Sequence, residues 1–170
     1  MSKYLIKIFL VLPLIFLQSC GYQPLLTDKY QNFSVNNFII TGDKKLGQEL
    51  GNNFTKIEGS KNNLSFNINS TKKRTISNKS STGSAIEYNI DINIALIVKS
   101  EPSGVEIFKN SFSENRTYKA SNLHIDSLNR EKKIIRDLIK TIAEKIKIQL
   151  HLIYRDEWYL KAFKLKKIYR

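Results

Sequence analysis

The sequence predicts an α+β fold. It is a two-layer sandwich in which a four-stranded, mainly antiparallel sheet carries two helices packed on one face, in the order β-α-β-β-β-α. Three observations predict it. Ile86, Tyr88, Ile90, Ile92, Ile94, Leu96 and Val98 hold strict period two, with Glu87, Asn89, Asp91 and Asn93 opposite, so this strand has one buried and one wet face. Leu128, Ile135, Leu138, Ile142, Ile146, Leu150 and Ile153 recur at helical steps and form one apolar stripe. Between the long strand and a second β-rich run lies "SEPSG", residues 100–104, a hairpin signal.

The elements follow in order. Residues 33–41, "FSVNNFIIT", are rich in β-branched and aromatic side chains and read as the first strand. Gly42 breaks it, and Asp43 is a good helix N-cap. Leu46, Leu50, Phe54 and Ile57 then share one helical face, which predicts a helix over 44–57. Gly47 and Gly51 sit inside it. Each costs about 1 kcal/mol against alanine, which a close approach of helix to sheet would offset; tolerance of a weak helix is the alternative. Leu64, Phe66 and Ile68 alternate with Ser65, Asn67 and Asn69 as a half-buried strand, whose continuation "TKKRTISNKSSTGS" reads as a basic, flexible loop. The strand after the hairpin covers about 105–118, and a phase shift between Ile107 and Phe108 predicts a bulge. The last helix covers 126–153. Its opposite face, with Lys133, Arg136, Lys140 and Lys147, reads as solvated. The tail 155–170 mixes Trp158, Tyr159, Phe163 and Tyr169 with lysines and suits either a bilayer interface or a frayed terminus.

The N-terminus sets the compartment. Residues 1–19 read as a signal peptide: Lys3 and Lys7 give a positive start, 8–17 an apolar stretch, and Ser19 a small residue at the cut. A spanning helix needs about 20 apolar residues, so the stretch is too short for one. An N-terminal anchor that stays on is the alternative. Cys20 is the only cysteine, so no internal disulfide is available. Leu17-Gln18-Ser19-Cys20 resembles a bacterial lipobox, in which the thiol takes a diacylglycerol as a thioether and cleavage frees the amine for a further acyl chain. Several chains anchor a protein far more firmly than one. Gly21 at the second mature position resembles cargo sorted to the outer membrane. The expected organisation is a signal peptide at 1–19, the lipidated Cys20 and a tether over 20–32, one domain over 33–154 and the basic tail 155–170.

The chain is strongly basic, with a formal net charge of +13. Such a balance suits lipid phosphates or an acidic protein surface, although a Lys-, Asn- and Ile-rich composition accounts for bulk charge equally well. Nucleic acid is not an expected partner of an exported chain. Enzyme chemistry is not expected either. The only histidines are His124 and His151; no zinc-protease, nucleophile-elbow or phosphate-loop motif occurs, and metal ligands do not cluster. His124-Ile125-Asp126 reads as a capping region. No cofactor is expected beyond the diacylglycerol and acyl chain on Cys20.

From Cys20-Gly21-Tyr22-Gln23-Pro24-Leu25 onward the chain resembles the LPS-assembly lipoprotein LptE family, in its α-proteobacterial form. The resemblance continues through Gly47-Gln48-Glu49-Leu50-Gly51-Asn52, the isolated Arg74, Gly104-Val105, Tyr118, and Ala143-Glu144-x-Ile146-x-x-Gln149-Leu150. The tail after Tyr154 has no counterpart. The resemblance implies a non-enzymatic outer-membrane lipoprotein, facing the periplasm, that plugs an LptD-type β-barrel and helps pass lipopolysaccharide to the outer leaflet. Lys72, Lys73, Arg74 and Lys79, placed where the second strand becomes a loop, are the expected ligands of lipopolysaccharide phosphates, Arg74 foremost because a guanidinium binds phosphate in a bidentate way. A solvated loop is the competing reading of those cations. An Asn- and Thr-rich outer sheet face suits a wet barrel lumen. Two other functions compete: an outer-membrane lipoprotein binding a periplasmic protein or peptidoglycan, and a hydrolase with a scattered site.

Overall fold

The computed structural model describes residues 33–168 apart from 59, 61 and 122, with side chains as far as Tyr154. Strand β1 spans Ser34–Gly42, helix α1 Lys44–Gly51, β2 Asn63–Lys79, β3 Ala85–Glu101, β4 Glu106–Lys119 and helix α2 His124–Ile168. The strands lie side by side in chain order, β1-β2-β3-β4. β1 pairs parallel with β2, and the other two pairings are antiparallel. The predicted fold class and element order hold, and both helices lie on one face.

Period two builds the inner face. Leu64, Phe66 and Ile68 of β2, Ile90 to Val98 at every second position of β3, and Phe112 and Tyr118 of β4 are all buried. Leu46 and Leu50 of α1 and Ile135, Leu138, Ile139, Ile142, Ala143, Ile146 and Leu150 of α2 close the core above them. The outer face stays wet: Asn69, Thr71, Asn93, Ser111 and Ser113 are exposed. The bulge in β4 is present, since Val98 pairs with Phe108 while the next residue, Lys99, pairs with Glu106, leaving Ile107 unopposed.

The start of α1 follows from local chemistry. Gly42 has φ 75°, a left-handed conformation natural to glycine, and a Cβ there would lie 2.2 Å from the Ser70 carbonyl oxygen. Ser70 fixes the turn: its backbone oxygen accepts from the Asp43 amide at 2.8 Å, and its hydroxyl donates to the Asp43 carbonyl at 2.7 Å. The Asp43 carboxylate accepts from the Leu46 amide at 3.2 Å, as expected of an N-cap.

Three boundaries differ from expectation. α1 ends at Gly51 rather than near residue 57, because Asn53 turns its side chain back onto the Glu49 carbonyl at 2.8 Å and the backbone tightens into turns. Phe54 still reaches the core, edge-on to Phe66, but from the turn. α2 runs on to Ile168, past the expected end at 153. Leu128, the first residue of the predicted stripe, is exposed. Most relevant to function, "TKKRTISNK" is not a loop. β2 continues through it to Lys79, paired with β3 throughout.

Gly47 sits where α1 approaches the sheet, and a Cβ there would lie 2.3 Å from Ile40 Cγ2. Ile40 is β-branched and stiff at χ1, so it cannot easily yield. At Gly51 the nearest atom, on the Phe38 ring, lies at 3.4 Å, ordinary contact. The two glycines therefore separate. Gly47→Ala is expected to lower stability by about 1–3 kcal/mol despite alanine's helix propensity, and Gly51→Ala to raise it by about 0.5–1 kcal/mol. Urea unfolding of the two variants, read as opposite shifts of the midpoint, checks this.

Candidate functional site

The elements place the four predicted cations differently. Alternation along β2 sends Lys72 and Arg74 to the inner face and Lys73 to the outer, where it stands directly opposite Asp91. Lys79 ends the strand opposite Ala85, roughly 23 Å along the chain from Lys72 at strand rise. The structure brings together Lys72 and Arg74 only.

What gathers them is Glu131, on the second turn of α2. Its carboxylate lies 3.9 Å from Lys72 Nζ and 3.4 Å from Arg74 Nε. Arg74 Nε also donates to the Tyr118 hydroxyl at 3.1 Å, and that hydroxyl donates to Glu131 Oε2 at 3.1 Å. The guanidinium carbon lies 3.7 Å from the centre of the Tyr88 ring, a cation–π contact. Tyr88 and Tyr118 are tilted ring neighbours at 5.6 Å. Burial first, then the hydrogen bond to Glu131 and the charge of that carboxylate, push the Tyr118 phenol above its ordinary value of 10.0, while Arg74 pulls the other way. The phenol therefore stays a donor at neutral pH. The Arg74 side chain is 39% exposed and Glu131 15%, so the pair is rooted in the fold and open to solvent on the arginine side.

Beside this cluster a groove of about 460 Å³ runs between α1, β2 and α2. Lys45, Lys72, Lys132 and Arg136 supply its cations, Asp43, Glu49 and Glu131 its acids, and Leu46, Leu128 and Ile135 its apolar wall. At the same end of the sheet Ile76, Ile86, Leu123 and Ile125 are exposed. Cations next to uncovered apolar side chains can meet an amphiphile with an anionic head. Further along the helix, Arg116 pairs with Asp137 at 3.4 Å and Glu114 with Lys145, ties that hold β4 under α2. Cys20 lies outside the described residues. Among the described residues, no three His, Cys, Asp or Glu side chains gather as a metal site.

Sequence reasoning missed Glu131, Tyr88 and the groove. The available signal was that Glu131 is the lone acid in "NREKKIIR". An acid kept within a basic helical run has a partner to meet.

Among solved structures, the fold is shared with bacterial lipoproteins. A candidate lipoprotein of Caulobacter crescentus CB15 superposes with a TM-score of 0.53 at 12% identity, covering 75% of this chain and 93% of that one. Lipoprotein B of Nitrosomonas europaea, described as uncharacterized, gives 0.51 at 13% identity, covering 78% and 94%. At such identities the likeness is one of fold. No family model and no curated protein matches the chain.

Proposed function

We propose that the chain is a lipid-anchored, non-enzymatic outer-membrane lipoprotein of the LptE type, which plugs an LptD-type β-barrel and assists the passage of lipopolysaccharide. In this reading residues 1–19 are removed, Cys20 carries the acyl chains, 20–32 is the tether, and 33–154 is the working domain followed by the tail 155–170. The observation that carries it is the far end of the sheet, where Lys72 and Arg74 stand beside exposed Ile76, Ile86, Leu123 and Ile125. Lipid A offers the complement, phosphates beside acyl chains. The polar outer face agrees with a wet barrel lumen.

Affinity purification of the tagged chain from the envelope is expected to bring down a large β-barrel, and Cys20→Ala to accumulate as unprocessed precursor. Recovery of the chain without a barrel overturns the plug reading and leaves a lipoprotein with another partner. Within the purified assembly, charge reversal at Lys73 and Lys79 together with Lys72→Gln is expected to weaken lipopolysaccharide binding by about tenfold. Unchanged binding removes these lysines from the site. Arg74 is kept out of that variant because a carboxylate there would face Glu131.

A further inference from the structure

β1 leaves the sheet at Gly42, opposite Ser70, whereas β2 runs on for nine more residues. Among the described residues no strand pairs with the other edge of 71–79, and α1, which follows β1, lies over the inner face rather than along this edge. The ladder to β3 is regular over 71–76 and irregular between Ile76 and Lys79. A six-residue strand edge with unpaired peptide groups is a template for another strand.

The edge has a charge. "TKKRTISNK" holds Lys72, Lys73, Arg74 and Lys79 and no acid. Lys72 and Arg74 share one carboxylate, Glu131, and Lys73 and Lys79 form no ion pair among the described residues. Lysines on an edge deter self-pairing, and here they disfavour the same edge of a second copy, which would set like charges against each other across the new ladder. They also exclude the chain's own ends. Segment 20–32 holds only Asp28 and Lys29, and 155–170 holds six cations against Asp156 and Glu157.

We infer that residues 71–76 of β2 form a β-augmentation site for an acidic, extended segment of another protein, which continues the line of β1. Peptide hydrogen bonds supply the pairing, and acids on both faces of the incoming strand meet Lys72 and Arg74 on one side and Lys73 on the other.

The test uses the detergent-solubilised full chain and a fluorescein-labelled hexapeptide with consecutive glutamates flanked by valines, which presents acids on both faces of an extended strand. Neither a barrel nor lipopolysaccharide is needed, so the outcome is independent of the plug reading. The peptide is expected to bind with a Kd between about 10 µM and 1 mM. Methylating alternate backbone nitrogens on its pairing edge should weaken binding at least about tenfold, as should Lys73→Glu combined with Lys72→Gln. Amide exchange should slow over 71–76 on binding. Absence of binding up to about 1 mM overturns the inference. Equal binding of the methylated peptide overturns it too, since charge alone would then hold the peptide, and so does protection that falls elsewhere in the chain.

Discussion

Phe66→Ala is expected to lower the unfolding free energy by about 3–5 kcal/mol. Phe66 is fully buried on β2, between Phe38 of β1 and Val98 of β3 in the ladder. Its ring meets Phe38 edge-on at 5.7 Å and Phe54 edge-on at 5.1 Å. Truncation removes the partner of both rings and leaves a void where three elements meet. Domains of this size are stable by only about 5–15 kcal/mol, so the variant should be largely unfolded at modest urea. Phe66→Leu, which keeps most of the volume, should cost less than about 1.5 kcal/mol. Equilibrium urea unfolding of both variants decides. A midpoint for Phe66→Ala near the parent's would mean that the ring does not join β1, the turn after α1 and the sheet.

Glu131→Gln is expected to separate stability from binding. The glutamine oxygen still accepts from Tyr118, but the counter-charge for Lys72 and Arg74 is gone. Stability should fall by about 1 kcal/mol, held small because Arg74 is partly exposed and water screens the pair. Affinity for lipopolysaccharide should rise several-fold, up to about tenfold, because anionic groups no longer compete with a resident carboxylate. The gain should shrink in high salt, where the Debye length is only a few ångströms. Titration of parent and variant at two ionic strengths reads all of this. Weaker binding by Glu131→Gln would make Arg74 a structural residue and nothing else.

Legibility in the sequence tracked how purely each position obeys one demand. β3 is central and paired on both sides, so its inward positions from Ile86 to Val98 are all apolar, and its alternation is plain in the sequence. The second half of β2 reads as a loop in the sequence because its inward positions, Lys72 and Arg74, are charged. They face a carboxylate and two phenols contributed by other elements, and no local pattern announces partners that distant. The sequence makes α1 too long because the spacing of Leu46, Leu50, Phe54 and Ile57 reports which side chains go inside, while Asn52 and Asn53 decide where the backbone stops being helical. The lone acid Glu131 shows the same limit. Its residue type was visible, but its role depended on a β2 that had first to be recognised as a strand.

The sheet's chain-ordered arrangement bears on how the polypeptide reaches this state. Each strand pairs only with its sequence neighbours, and two of the three joins are close, so loop closure is cheap and the sheet can zip from any hairpin. A tie of much longer range lies elsewhere. Phe33, at the head of β1, stacks on Tyr154 of α2 at 6.3 Å, across nearly the whole described chain. That contact cannot form until α2 has been delivered. A chain entering its compartment N-terminus first would therefore hold a nearly complete sheet with an uncovered greasy face for as long as its last helix is still in transit. That interval is when a chaperone would be needed most.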